Sequence, residues 1–207
     1  GGYSLEFDGE MDYVDCGNDA SLSVDDGSIT VSAWVKPNDP STLNQKIVSQ
    51  MSTNAEEGEF MLNIWGGSKF AFWRRYTQGS DSARFVQSTT SAVSQTWQHV
   101  TGVYDGIENK FYINGNLSSE IDEPGYSTTA AEPQTTIGSG SGSNGFNGAI
   151  DVVQIWNRAL SPTEIQSYMA TPPIGSETGI VGYWKFNAGS GTTLYDHSGN
   201  QNHGTIN

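Results

Sequence analysis

Hydrophobic and polar residues alternate along much of the chain, with the period of two that places successive side chains on opposite faces of a β-strand. Residues 29–36 show it first, with an apolar face made of Ile29, Val31, Ala33 and Val35. Residues 60–65 and 70–76 alternate in the same way and are separated by Gly66-Gly67, which predicts two neighbouring antiparallel strands. The pattern therefore predicts a chain built from antiparallel strands and turns.

Turn and cap residues divide the rest of the chain. Residues 100–104 and 110–113 read as strands, and the second runs into Asn114-Gly115, a two-residue hairpin signal because both positions tolerate a positive φ. Ser161 as N-cap, Pro162 at the first helical position and Glu164 three residues after the cap predict one short helix over about 162–169. Residues 179–186 read as a further strand, followed by a polar loop over residues 196–204.

Composition supports an all-β fold. The 207 residues include 25 Gly, 11% are aromatic and 35% are hydrophobic, which fits short aromatic strands joined by tight turns. Each strand has one apolar face that must be buried. The simplest arrangement that buries all of them is two antiparallel sheets packed face to face, with the helix at their periphery. We therefore expect a two-sheet β-sandwich.

The charge of the chain argues against two classes of partner. Nine Lys and Arg against 23 Asp and Glu give a formal net charge of −14, so we expect neither nucleic acid nor an anionic membrane to bind. No apolar run approaches the ~20 residues of a membrane span, so no membrane insertion is expected.

A single cysteine, Cys16, excludes a disulfide scaffold and is read as a small packed residue.

Several phrases of the sequence then match a known family in order. They are Ser4-Leu5-Glu6-Phe7-Asp8-Gly9, residues 29–37, Trp97-Gln98-His99-Val100, Tyr104-Asp105-Gly106, Tyr112-Ile113-Asn114-Gly115 and residues 146–161. Together they resemble the laminin G-like jelly-roll modules of the concanavalin A-like lectin/glucanase superfamily. The resemblance implies a jelly-roll sandwich and one domain over residues 1–207, in which residues 171–207 complete the sandwich. The alternative is that residues 179–207 begin another domain.

The resemblance also implies a function. Such modules are typically non-catalytic parts of larger secreted or cell-surface bacterial proteins, so we expect a monomeric carbohydrate-binding module linked to neighbouring domains. The alternatives are an adhesion or spacer domain that binds protein or no ligand, and a jelly-roll glycoside hydrolase or polysaccharide lyase. Glu120-Ile121-Asp122 resembles the acidic strand motif of the related glucanases, but Gly125 stands where the third carboxylate of that motif would be.

A structural Ca²⁺ is a further implication of the resemblance. The family roles fall on Asp8, near the first strand, and Asp151, on a late strand. Asp196, Asn200 and Asn202 are plausible additional oxygen donors, since Ca²⁺ takes 6 to 8 oxygen ligands. The alternative is that these carboxylates cap turns or accept backbone hydrogen bonds.

Aromatic and basic residues are densest over residues 65–76. The candidate ligand-binding residues are Trp65, Trp73, Arg74, Arg75 and Tyr76, with Tyr126 as a weaker candidate. Aromatic rings stack on sugars and guanidinium groups pair with carboxylates or sulfates, so the polysaccharide could be acidic or sulfated. Alternation places Trp73 and Arg75 on one face and Arg74 and Tyr76 on the other, so one set alone can face a ligand. The alternative is that most of these aromatics pack within the sheets.

Overall fold

The computed structural model describes residues 2–24, 27–52, 57–77, 85–122, 133–139 and 145–207, without the side chains of residues 57 and 75–77. Within these ranges no helix has the length and apolar character needed to cross a membrane. The strands are β1 (Leu5–Asp8), β2 (Val14–Asp15), β3 (Ile29–Pro37), β4 (Gln45–Met51), β5 (Glu57–Trp65), β6 (Lys69–Thr77), β7 (Phe85–Ser91), β8 (Gln98–Tyr104), β9 (Glu108–Ile113), β10 (Asn116–Asp122), β11 (Gln134–Ile137), β12 (Asn147–Trp156), β13 (Ile180–Trp184), β14 (Thr193–Leu194) and β15 (Gly204–Ile206). The helices are a 3₁₀ turn at Ala20–Leu22 and α1 (Pro162–Ala170).

The described strands form two antiparallel sheets. Sheet I has the order β1-β12-β3-β8-β9-β10, with β13 also paired to β12. Sheet II has the order β14-β15-β2-β11-β4-β5-β6-β7. The two sheets form a β-sandwich with one short helix, so the predicted jelly-roll fold class is confirmed.

The core lies between the two sheets. The alternating apolar positions predicted for β3 face it, as do Phe60, Leu62 and Ile64 of β5. Phe70 of sheet II stacks on Phe111 of sheet I with ring centroids 6.2 Å apart. The apolar face of each strand therefore points inward, and the remaining positions of β5 and β6 form an outer face of sheet II.

Helix α1 covers part of the outer face of sheet I. Its N-terminus is the predicted capping box, in which the Ser161 hydroxyl accepts a hydrogen bond from the Glu164 amide and the Glu164 carboxylate accepts one from the Ser161 amide. Tyr168 stacks on Trp156 of β12 with ring centroids 4.9 Å apart, and Ile165 is buried in the same cluster. The covered part of this outer face is therefore a second, smaller core rather than an open surface.

The C-terminal segment contributes strands to both sheets. Strand β13 pairs with β12 in sheet I, and β15 pairs with β2 in sheet II. Trp184 of β13 is fully buried in the main core, and its indole N–H donates a hydrogen bond to the carbonyl of Asn202 at 2.9 Å. Residues 180–206 therefore pack as part of this sandwich.

Candidate sugar-binding face

The outer face of sheet II carries a small aromatic cluster. Strand register places Met61 opposite Trp73 and Asn63 opposite Ala71. Met61, Ala71 and Trp73 are buried together there, with Trp65 and Phe85 partly buried against them. We call these five residues the tryptophan cluster. Because β5 and β6 also supply core residues from their other faces, the sheet fixes the position of this cluster.

Ring geometry gives the two tryptophans different roles. Trp73 stacks on Phe85 with centroids 4.0 Å apart, and its indole N–H donates a hydrogen bond to Asn63 Oδ1 at 3.0 Å. Only 6% of Trp73 is exposed, so its ring mainly supports its neighbours. Trp65 contacts Trp73 edge to face, with centroids 5.5 Å apart and planes at 88°, and is partly exposed. Trp65 is therefore the ring of this pair that a ligand can reach.

Arg74 points to the opposite side of the sheet, into the sandwich. Its guanidinium donates hydrogen bonds to the carbonyl of Glu59 at 2.6 Å and to that of Val24 at 3.1 Å, and it lies 3.2 Å from Glu59 Oε2. The exposed fraction of the side chain is 1% for Arg74 and 4% for Glu59. Arg74 also lies over the Tyr104 ring, 5.7 Å from its centroid. We therefore remove Arg74 from the candidate ligand-binding residues, because burial and this ion pair keep it from the outer face.

The other predicted ligand-binding residues are described only in part. Arg75 and Tyr76 belong to strand β6, whose register pairs Tyr76 with Gly58, but their side chains lie outside the described residues. Tyr126 also lies outside the described residues. Of the predicted set, Trp65 and Trp73 are therefore the pair that the described structure brings together.

Three of the predicted calcium ligands instead form a hydrogen-bonded loop. Asp196 Oδ1 accepts from the amides of Tyr183 and Ser198 at 2.9 and 2.8 Å, and Oδ2 accepts from the Asn202 amide at 3.0 Å. The side-chain amides of Asn200 and Asn202 both donate to the carbonyl of Val181. These contacts tie the loop after β14 to strand β13.

Asp8 and Asp151 lie apart from each other. Asp8 is exposed, and one of its carboxylate oxygens accepts from the Glu10 amide at 2.8 Å. Strand pairing places Asp8 opposite Asn147, four residues before Asp151 on β12, a separation of about 13 Å along the strand. Asp151 Oδ1 accepts from the Val152 amide at 2.8 Å, and partial burial raises the pKa of Asp151 to about 6.

These positions do not fit a calcium site of the predicted composition. Asp196 uses both oxygens within its own loop, and Asp8 is about 13 Å from Asp151 along the strand. Within the described ranges, no three or more His, Cys, Asp or Glu side chains are grouped so that they could hold a metal ion. The described contacts instead match the alternative in which the carboxylates accept backbone hydrogen bonds.

The acidic motif at Glu120 and Asp122 and the buried histidine His99 also occupy separate places. Glu120 and Asp122 are exposed on β10, an edge strand of sheet I. His99 is buried in the same sheet, where its ring contacts Trp34 with centroids 5.3 Å apart. Burial lowers the pKa of His99 to about 4, so its imidazole is neutral near pH 7. None of the three lies on the face that carries the tryptophan cluster.

Sequence reasoning missed two polar residues of the sheet II outer face. Asn63 is fully buried, accepts from Trp73 and donates to Asn44 Oδ1 at 2.9 Å. Lys46 lies directly across from Asn63 on strand β4. A register shift between residues 46 and 48 interrupts the alternation of β4, so Ile47 and Val48 both enter the core and the pattern around Lys46 is obscured.

Comparison with known proteins places the chain among jelly-roll domains. A family model described as the concanavalin A-like lectin/glucanases superfamily matches residues 8–166. No curated protein sequence matches the chain. The three solved structures described next are 15% to 20% identical to the chain, and a likeness at that level shows the fold alone.

Three of these structures are informative about architecture. A Bacteroides ovatus ATCC 8483 protein, provisionally described as carbohydrate-binding, has 19% identity and a TM-score of 0.73 over 98% of this chain and 59% of its own. The CBM40 of a Ruminococcus gnavus IT-sialidase, bound to α2,3-sialyllactose, has 15% identity and a TM-score of 0.64 over 81% of this chain and 96% of its own. Domain 4 of AbnA, an extracellular GH43 arabinanase from Geobacillus stearothermophilus, in complex with arabinotriose, has 20% identity and a TM-score of 0.58 over 79% of this chain and 75% of its own.

Proposed function

Because this chain belongs to the concanavalin A-like lectin/glucanases superfamily, we propose that it is a non-catalytic carbohydrate-binding module that holds a polysaccharide on the outer face of sheet II. The observation that carries this proposal is the partly exposed Trp65 ring, fixed edge to face on a buried Trp73. A ring held in this way loses little conformational freedom when the C–H face of a sugar stacks on it.

Polar groups beside the rings complete the chemistry that a sugar requires. Gln87 of the neighbouring strand β7 is partly exposed beside Trp65, to whose carbonyl it donates at 2.8 Å, whereas the buried Asn63 holds Trp73 in place. Sugar hydroxyls act as donor and acceptor together, so planar amides beside an aromatic ring suit them. The glycan-bound structures among those that resemble the chain support a saccharide as the ligand.

The placement of the acidic groups supports the proposed non-catalytic role. Glycoside hydrolysis needs two carboxyl groups flanking one bond, about 5 to 9.5 Å apart, beside the bound sugar. Glu120 and Asp122 lie on sheet I, whereas the tryptophan cluster lies on sheet II. The carboxylate pair and the aromatic rings therefore lie on different sheets, although β10 contacts β7, where Ser119 donates to the carbonyl of Gln87 at 2.6 Å.

We propose further that the module acts as a monomer within a larger secreted bacterial protein. The chain spans 59% of the length of the Bacteroides ovatus protein, and the AbnA domain is one part of an extracellular enzyme. A module of this kind raises the local concentration of an attached enzyme or adhesin near its polysaccharide. Calcium has no part in this proposal.

Affinity electrophoresis in gels containing neutral, uronic or sulfated polysaccharides tests the proposal. We expect at least one glycan to retard the wild-type chain and Trp65→Ala to lose that retardation while keeping its melting temperature. Trp97→Ala is the matched control, because Trp97 is 39% exposed and precedes strand β8 of the other sheet. Retardation unchanged in Trp65→Ala would contradict the proposed face.

Two further outcomes point to the other functions. Failure of every glycan to retard the wild-type chain would favour an adhesion or spacer domain. New reducing ends or unsaturated sugars released from the same polysaccharides would show a hydrolase or lyase.

A further inference from the structure

A lysine of strand β4 lies on the same face as the tryptophan cluster. Lys46 pairs directly with Asn63, and cross-strand partners share one face of a sheet. Asn63 belongs to the outer face because its side chain accepts from the Trp73 indole, while Leu62 and Ile64 on either side enter the core. The side chain of Lys46 therefore belongs to the outer face as well.

The Lys46 side chain is largely buried, but its ammonium still reaches solvent and has no counter-ion among the described residues. Its exposed fraction is 6%, and in the described part of the chain no carboxylate lies within 4.0 Å of its ammonium and no hydrogen bond from it is found. Other cations of the chain do have partners: Lys110 lies 2.8 Å from Asp105, and Arg158 lies 2.9 Å from Glu164. Burial lowers the pKa of Lys46, as expected for an ammonium that is partly desolvated and has gained no anion.

Such a group can pair with an external anion. An ammonium carries three donors and no acceptor, so an accessible one without a counter-ion has donors free for a negative group. Lys46 pairs with Asn63, and Trp65 is the next residue of β5 on the same face, so the register places a partly exposed ring diagonally across from the positive charge. A sugar ring bearing an acidic substituent matches both features.

The net charge of −14 does not oppose this pairing at close range. At an ionic strength of 0.15 M the screening length is about 8 Å, so charges elsewhere on the surface act weakly on the site. The sequence alone suggested Arg74 as a cation for an acidic glycan, but Arg74 is neutralised by Glu59 inside the sandwich. Lys46 supplies the positive charge that Arg74 does not.

We propose that Lys46 binds the carboxylate or sulfate of an acidic sugar while Trp65 holds the sugar ring, so that the ligand of this module is an anionic polysaccharide. This inference rests on the proposed function and names its ligand class. An ammonium acts as a point charge and pairs with either anion, so experiment must distinguish the two sources.

The test compares ligands that differ only in charge, at 0.15 M salt. Polygalacturonate is paired with its methyl ester, and dextran sulfate with dextran. Lys46→Met removes the charge, Lys46→Arg retains it, and Lys36→Met is the matched control, since Lys36 lies on β3 of the other sheet. Melting temperatures confirm that each variant folds, and Lys46→Met should be as stable as wild type or more so.

We expect wild type to bind one of the two anionic polymers about tenfold or more tightly than its neutral counterpart, the size of one charge-assisted contact. Lys46→Met should abolish that preference, whereas Lys46→Arg and Lys36→Met should keep most of it. A preference for polygalacturonate identifies a carboxylate, and a preference for dextran sulfate identifies a sulfate.

The outcomes separate the two proposals. Equal binding of charged and neutral polymers that depends on Trp65 would overturn the role of Lys46 and leave the sugar-binding face standing. A charge preference that survives in Lys46→Met would also overturn that role. If no glycan in a broad panel binds wild type, both proposals fail.

Discussion

Replacing Arg74 by methionine should destabilise the sandwich strongly. The substitution removes a cation that is 3.2 Å from Glu59 Oε2 and that donates to backbone carbonyls of Glu59 and Val24. It leaves the Glu59 carboxylate, whose side chain is 4% exposed, without this cation. Breaking a buried ion pair from one side costs about 3–5 kcal/mol in the free energy of unfolding.

Urea unfolding at pH 7, followed by tryptophan fluorescence, measures this loss. Lys110→Met is the control, because the Lys110 to Asp105 pair is partly exposed, with 22% and 31% of the side chains accessible. Exposed pairs contribute about 0–1 kcal/mol, so the control should differ little from wild type. The double variant Arg74→Met with Glu59→Met should recover part of the stability, since neither charge of the pair then remains buried.

A loss below about 1 kcal/mol in Arg74→Met would refute the reasoning, because it would mean that Arg74 is solvated rather than locked inside the sandwich. Reduced glycan retention in a well-folded Arg74→Met chain would return Arg74 to the set of ligand-binding residues.

Three further predictions concern stability. Since burial lowers the folded-state pKa of His99 to about 4, below the unfolded value of about 6.5, the unfolded state binds the proton more readily between these values. As pH falls from 7 to 4, the free energy of unfolding of wild type should therefore drop by up to about 3 kcal/mol relative to that of His99→Gln, as measured by urea titration. A difference between the two proteins that does not change with pH would contradict the lowered pKa. Asp196→Ala should cost about 3 kcal/mol because it removes the acceptor of three backbone amides, whereas the exposed Asp8→Ala should cost about 0.5 kcal/mol or less; equal losses in thermal unfolding would contradict the described loop. EDTA should leave the melting temperature unchanged, and a fall that Ca²⁺ reverses would show a calcium site that the described residues do not explain.

Most of the fold was predictable because its signals are local. Alternation predicted β3 over residues 29–36, and the structure has Ile29–Pro37. The capping box predicted the helix over 162–169, and the structure has Pro162–Ala170. Each signal depends on residues within a few positions of one another, so no knowledge of distant contacts was needed.

The candidate site was harder to predict because it depends on which face points inward. Alternation placed the side chains of Trp73 and Arg74 on opposite faces of strand β6, but it did not show which face points into the core. The answer depends on long-range partners: Arg74 meets Val24, fifty residues away, and Glu59, which lies at an irregular pairing between β4 and β5. A bulge turns a side chain away from the face that simple alternation assigns, so Glu59 could not be placed from the sequence.

Lys46 was missed for a related reason. A polar residue at the start of an apolar strand is typical of a solvated edge, and lysines are seldom buried without a partner. Its burial and its position beside Asn63 follow from the pairing of β4 with β5, which the sequence does not encode locally. The hydrogen bonds of the residues that suggested calcium could not be predicted either. Asp196, Asn200 and Asn202 lie close together in the sequence, and they form a loop with its own hydrogen bonds.

The most direct test of the sugar-binding face is nuclear magnetic resonance of the indole N–H groups during glycan titration. The chain has six tryptophans, so each ring reports on its own surroundings, with signals assigned by single Trp→Phe variants. The account predicts that a glycan which retards the chain shifts the signals of Trp65 and Trp73, and leaves those of Trp97 and the buried Trp156 unchanged. Shifts confined to Trp97 or Trp34 of the other sheet would contradict it and place the ligand on sheet I.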